Sequence, residues 1–100
     1  SGGYNMVDVR LNILFDYYGE LLTDKQREFF EDYYFDNLTL QEIADNNEIS
    51  RNAVHKTLST IESKLEFYEE KLKLYEKSIK IKAIISNLDE EVKEKINDLI

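Results

Sequence analysis

Leu11, Leu14, Phe15, Tyr18 and Leu22 are spaced so that one face of a helix is apolar, and they predict a first helix over about residues 8–21. Thr23 and Gln26 then have the spacing of a capping box, in which the hydroxyl takes a free backbone N–H and the amide reaches back to the cap. A second helix over about residues 24–35 follows, with Phe29, Phe30, Tyr33 and Tyr34 on its buried side and Asp36-Asn37 as the turn. Thr39 and Glu42 repeat the box, and Leu38 and Ile43 stand at the positions of a hydrophobic staple. The third helix is short, about residues 40–46. Asn46-Asn47-Glu48 breaks it, Ile49 is expected to point inward, and Ser50 caps a fourth helix. That helix meets no stop signal before Ser86-Asn87, so the pattern predicts about 35 residues, or roughly 50 Å. A last helix from about Leu88 carries Asp89, Glu90 and Glu91 in its first turn, where the helix dipole favours anions. No β-branched alternation interrupts the series, and the expected class is all-α.

Residues 39–61 carry the pattern of a helix-turn-helix. Ala44 is small where the next helix would cross, and Ile43, Ile49, Val54, Leu58 and Ile61 supply apolar contacts that fix the crossing. The first outward residues of the fourth helix, Arg51, Asn52, His55, Lys56 and Ser59, would face a major groove. The same tri-helical unit also serves protein and RNA contacts, so the motif speaks more clearly for structure than for DNA reading. Further along, Val54, Leu58, Ile61, Leu65, Tyr68, Leu72, Tyr75 and Ile79 alternate at spacings of four and three, which is a heptad seam. From Leu65 through Tyr68, Leu72, Tyr75 and Ile79 the seam is expected to form a homodimer interface. Parallel pairing would set Lys64 against Glu69 of the partner and Lys71 against Glu76. The competing use of the stripe is as a seat for helices of the same chain. The expected division is thus a helix-turn-helix domain over 6–62 and a long-helix extension with a C-terminal helix over 63–100. Ser1 to Asn5, before the only methionine, read as a vector-derived scar.

Charge narrows the functional classes. The 100 residues have a formal net charge of −8, but residues 1–49 hold eleven acidic and three basic side chains, whereas residues 50–86 hold eight basic and five acidic. A nucleic-acid reading must therefore rest on the middle segment. There, from Arg51 to Glu62, only Arg51 and Lys56 are cationic, enough for about two phosphate contacts per subunit. The chain has no cysteine, which excludes a disulfide framework, a thiolate zinc site and a cysteine nucleophile. His55 is the only histidine and has no ligand-like neighbours, Ser50 and Ser59 have no general base beside them, and no glycine-rich phosphate cradle exists. The sequence calls for no enzyme activity, cofactor, metal or small-molecule substrate. Tyr17, Tyr18, Phe29, Phe30, Tyr33, Tyr34 and Phe35 could stack bases, yet with three cations in that region an aromatic core is the stronger reading. Apolar runs are too short to span a bilayer, and no signal-like segment precedes them, so a cytoplasmic protein without membrane insertion is expected.

Longer motifs add a resemblance. Leu14-Phe15-Asp16-Tyr17-Tyr18-Gly19, Leu21-Leu22-Thr23-x-Lys25-Gln26-Arg27, Tyr33-Tyr34, Leu40-x-Glu42-Ile43-Ala44, Ser50-Arg51-x-Ala53-Val54 and Tyr68-Glu69-Glu70-Lys71-Leu72 resemble the YlxM family over about residues 11–75. The resemblance implies a helix-turn-helix similar to region 4 of sigma factors, a winged-helix-type three-helix core without a wing. It also implies a regulatory or accessory role in the signal recognition particle pathway, with DNA or the particle's RNA or protein as partner. The rival class is an acidic protein-interaction adaptor in which the helix-turn-helix is only a scaffold.

Overall fold

The computed structural model describes residues 6–100, with side chains from Asp8 onward; the expected scar lies outside the described residues. The chain runs through α1 (Met6–Tyr18), a 3₁₀ turn (Gly19–Leu21), α2 (Asp24–Tyr34), α3 (Leu40–Asn47), α4 (Arg51–Leu72), α5 (Leu74–Ile84), a second 3₁₀ turn (Ile85–Asn87) and α6 (Glu90–Asn97). The described residues form an all-α fold without a β-strand. Both capping boxes are present: the Thr23 and Thr39 hydroxyls accept from the N–H groups of Gln26 and Glu42, and the Thr23 and Thr39 N–H groups donate back to the Gln26 and Glu42 side chains. Ser50 and Asp89 cap α4 and α6 through the N–H groups of Ala53 and Val92.

α4 is the spine, on which α1, α2 and α3 all pack, while α5 folds back against α1. The core joins Leu11, Leu14, Tyr18, Leu22, Phe29, Phe30, Ile43 and Ala44 to Val54, Leu58, Ile61 and Leu65 of α4. It therefore runs without interruption across residue 62. Aromatic rings fill the space between α1 and α2: Phe15 stacks on Phe30 at 4.3 Å, and Phe30 on Tyr34 at 4.4 Å. These aromatics are core, as the charge balance argued, except Phe35, which is exposed. The radius of gyration is 16.5 Å and the extents are 53 × 26 × 21 Å, so the fold is elongated relative to the roughly 13 Å radius of a compact domain of this length.

Three sharp turns share one device. Asn37, Glu48 and Lys73 each have φ of 55–56°, the left-handed conformation usually left to glycine. Lys73 corrects the expected fourth helix of about 35 residues, because it ends α4 at Leu72 and starts α5 in a new direction. The cause is a tertiary hub. The Glu69 carboxylate, nearly buried, accepts from the Tyr18 hydroxyl at 2.5 Å and from the N–H groups of Tyr75 and Glu76 at 3.1 and 2.9 Å. The Tyr18 oxygen in turn accepts from the Leu74 N–H at 3.0 Å. The first three N–H groups of α5 are thus satisfied by groups outside α5, which a continuous helix would not have required.

The seam lies partly within the chain's own core. Leu65 is fully buried by its own chain, and Tyr68 and Tyr75 are half-buried against the same core; only Leu72 and Ile79 are exposed. The charges assigned to partner pairing are engaged internally. Lys64 donates to Gln26 at 3.0 Å, Glu69 lies in the hub, Lys71 stands over the Phe67 ring, and Glu76 pairs with Lys73 and Lys80. Ile49 is a smaller correction: its N–H returns to the Ala44 carbonyl at 3.1 Å, and its side chain stays exposed at the core's edge.

Candidate nucleic-acid interface

Local chemistry fixes the α3–α4 unit. Ala44 and Ile43 of α3 are completely buried, as are Val54 and Ile61 of α4. Between them Glu48 turns left-handed, and the i to i−5 bond from Ile49 to Ala44 closes α3 in the Schellman manner. The Asn47 side chain donates to the Ile43 carbonyl at 2.8 Å and occupies another of the orphan acceptors. With α3 held so, the opening turns of α4 project outward. Arg51, Asn52, His55, Lys56 and Ser59 are all exposed.

Electrostatics sets α4 apart. α1, α2, α3, α5 and α6 each carry an acidic side chain in the first turn, and α4 carries none. Its positive dipole end is therefore uncompensated, with Arg51 at its first position. Many cations elsewhere are occupied: Arg10 makes a bidentate pair with Glu66 at 2.8 Å, which binds α1 to α4. Arg27 engages both Glu20 and Asp24, and Lys93 and Lys95 pair within α6. Arg51 and Lys56 enter no ion pair among the described residues. Opposite charge is nonetheless near in sequence, since Glu42, Asp45 and Glu48 on α3 and its turn are exposed.

On another side, between α1 and α2, a cleft of about 460 Å³ is lined by Phe15, Gly19, Arg27 and the carboxylates of Asp16, Glu20, Asp24, Glu28 and Glu31. Asp32, also on α2 but outside the cleft, has acidic neighbours too. Burial, first, and then Glu28 and Asp36 raise its pKa above the ordinary carboxylate value.

The hub and the contacts that brace α4 escaped the sequence reading. Tyr34 donates to Glu62 at 2.7 Å, and burial, then that bond, raises the Tyr34 pKa. Tyr18 is pushed up to about 12, by burial first and the bond to Glu69 next. Such pairs join residues 28 and 51 apart and leave no local spacing to find. No group of His, Cys, Asp or Glu suited to a metal ion occurs among the described residues, and no described helix is long and apolar enough to cross a membrane.

Comparison with known proteins agrees with the architecture. Residues 7–99 match the family UPF0122, described as "Putative helix-turn-helix protein, YlxM / p13 like". A UPF0122 protein of Malacoplasma penetrans is 40% identical over 90 residues, covering 89% of this chain and 76% of that protein. One of Shouchella clausii is 41% identical over 97 residues, covering 92% of this chain and 89% of its own length. One of a Thermoanaerobacter species is 52% identical over 58 residues, which span 58% of this chain and half of that relative.

Proposed function

This chain belongs to the UPF0122 family of YlxM-like proteins, and from that membership and the exposed start of α4 we propose a regulatory or accessory protein of the signal recognition particle pathway that makes modest nucleic-acid contacts. The family is one of helix-turn-helix proteins rather than enzymes. The observation that carries the nucleic-acid reading is the acid-free first turn of α4, with Arg51 and Lys56 exposed and in no ion pair among the described residues. Asn52, His55 and Ser59 lie on the same surface and would supply groove contacts. The likeness to sigma region 4 belongs to this reading. Two phosphate contacts per subunit give a salt slope of only about −2. With a net charge of −8, free DNA of arbitrary sequence should bind at about 10⁻⁴ to 10⁻⁶ M or more weakly. Replacing both cations, Arg51→Ala with Lys56→Ala, should weaken binding uniformly across sequences and remove most of that slope. Binding unchanged by the pair would move the contact to another surface.

The acidic cleft favours a second reading, in which the front half receives a basic protein surface and the helix-turn-helix is scaffold. Glu28→Lys with Glu31→Lys separates the two. Loss of a cellular partner with stronger DNA binding supports the adaptor, and nanomolar binding of one DNA site by the unaltered protein refutes it.

A further inference from the structure

The face of α4 turned away from the core carries a pattern with its own symmetry. Lys56, Ser59, Ser63, Phe67 and Glu70 are all exposed, and their spacings of 3, 4, 4 and 3 read the same from either end. At 100° per residue the five fall within an arc of about 80°, opposite the stripe that enters the core. Phe67 is 53% exposed, large for a phenylalanine in the middle of a packed helix. Beside it lies an open groove of about 670 Å³ lined by Ser59, Thr60, Ser63, Lys64, Phe67 and Tyr68.

We propose that this face is a two-fold interface with a second copy of this chain, α4 lying antiparallel to α4 about Ser63. Chemistry on the page selects a second copy, because each position meets its complement under that rotation. Ser63 meets Ser63, and Phe67 enters the hole framed by Lys56, Ser59, Thr60 and Ser63 of the copy. Lys56 comes level with Glu70, about 10 Å along the helix from the axis. Small residues at the centre allow the helices to approach to about 8 Å, and a large knob facing a small-residue hole is what interdigitated helices require. Neither Lys56 nor Glu70 is held in an ion pair among the described residues. The contact is isologous and closes at two copies. One helix crossing lies at the small end of specific interfaces, so association is expected at about tens of micromolar. A dimer of this kind covers Lys56 and Ser59 and so excludes nucleic acid from them. That consequence, unlike the interface, rests on the nucleic-acid reading.

The absence of cysteine makes the test direct. Ser63→Cys, on the axis, should form a disulfide-linked dimer under mild oxidation at least about tenfold faster than Asn46→Cys, an exposed position on α3. In sedimentation, Lys56→Glu and Glu70→Lys should each weaken association about fivefold, and the two together should restore it. Equal cross-linking at both cysteines, or charge reversals that do not rescue one another, overturns the interface. If the oxidised Ser63→Cys dimer binds nucleic acid as well as the reduced protein, the interface stands and the exclusion at Lys56 falls.

Discussion

Replacing Glu69 by glutamine keeps the side chain's size and removes only its charge and one acceptor. In the folded chain the carboxylate accepts three hydrogen bonds, from Tyr18, Tyr75 and Glu76. The best placement of the amide keeps its oxygen on Tyr18 and Tyr75 and turns its NH₂ toward the Glu76 N–H, where two donors then meet. One charge-assisted bond in a nearly dry site is worth about 1.5–3 kcal/mol, so Glu69→Gln should cost about 2–3 kcal/mol. In urea this lowers the unfolding midpoint by about 2 M, given a slope of about 1–1.5 kcal/mol per M. Tyr18→Phe should cost about 2 kcal/mol, since it also strips the Leu74 N–H of its acceptor. The double variant should lose about 1 kcal/mol less than the summed singles, because the two share a bond. Acid supplies an independent check. Burial is the largest influence on Glu69 and favours its protonated form, but the bonds from Tyr18 and the two N–H groups outweigh it and hold the carboxyl below its ordinary value of 4.5. A carboxyl depressed in the folded state stabilises above the unfolded value, and that stability is lost as pH falls through the folded value. The gap between the unaltered chain and Glu69→Gln should therefore be constant from neutrality to about pH 5 and close below 4.5. A midpoint shift under about 0.3 M, or a gap that does not narrow at all as pH falls below 4.5 toward the acid transition, would refute the hub.

Leu65→Lys should unfold the protein, because it buries a charge in a core position and costs about 4 kcal/mol or more, whereas Leu72→Lys should leave the melting temperature within a few degrees. Circular dichroism melts decide it, and a folded Leu65→Lys that merely loses self-association would return Leu65 to an interface between copies. Glu48→Gly should stabilise by about 1 kcal/mol, since the left-handed turn at φ 55° is strained for a residue with a Cβ; a loss in chemical denaturation would refute that. Gly19→Ala should destabilise by about 1 kcal/mol. Its new Cβ would stand 3.2 Å from a Phe15 ring that Phe30 and Phe35 hold in place, so an unchanged denaturation midpoint would show the ring free to yield.

Elements whose ends are set by local chemistry were legible. Thr23 with Gln26, Thr39 with Glu42, and Ser50 are each a side chain within three residues of the N–H it caps, and the starts of α2, α3 and α4 follow from them. The left-handed turns were not equally legible. Asn37 tolerates that conformation and reads as a turn, but Lys73 carries no such signal, and the Val54-to-Ile79 periodicity passes straight through it. What breaks the helix there is Tyr18, whose hydroxyl lies 56 residues away from the N–H it accepts. Sequence spacing reports the local propensity to stay helical and is silent about a distant acceptor able to replace the missing bonds.

The heptad seam shows a different limit. Period 3.5 establishes that one stripe of α4 is buried, and Val54, Leu58, Ile61 and Leu65 are buried. It does not say by which helices, and α1, α2 and α3 supply the cover. Once the apolar stripe is closed within the chain, the polar face becomes the informative one. Lys56, Ser59 and Ser63 look like ordinary solvated positions in a helical wheel, and only the burial of the opposite stripe makes an exposed Phe67 among them conspicuous. The same argument locates the nucleic-acid candidates. Arg51 and Lys56 gain meaning because the other helices begin with acids and α4 does not. Both proposed uses of α4 thus converge on Lys56, which faces a phosphate in one and Glu70 of a second copy in the other. Lys56→Glu should weaken both, whereas Glu70→Lys should weaken association alone and add a cation to the face, so the two charge reversals separate the partners of one side chain.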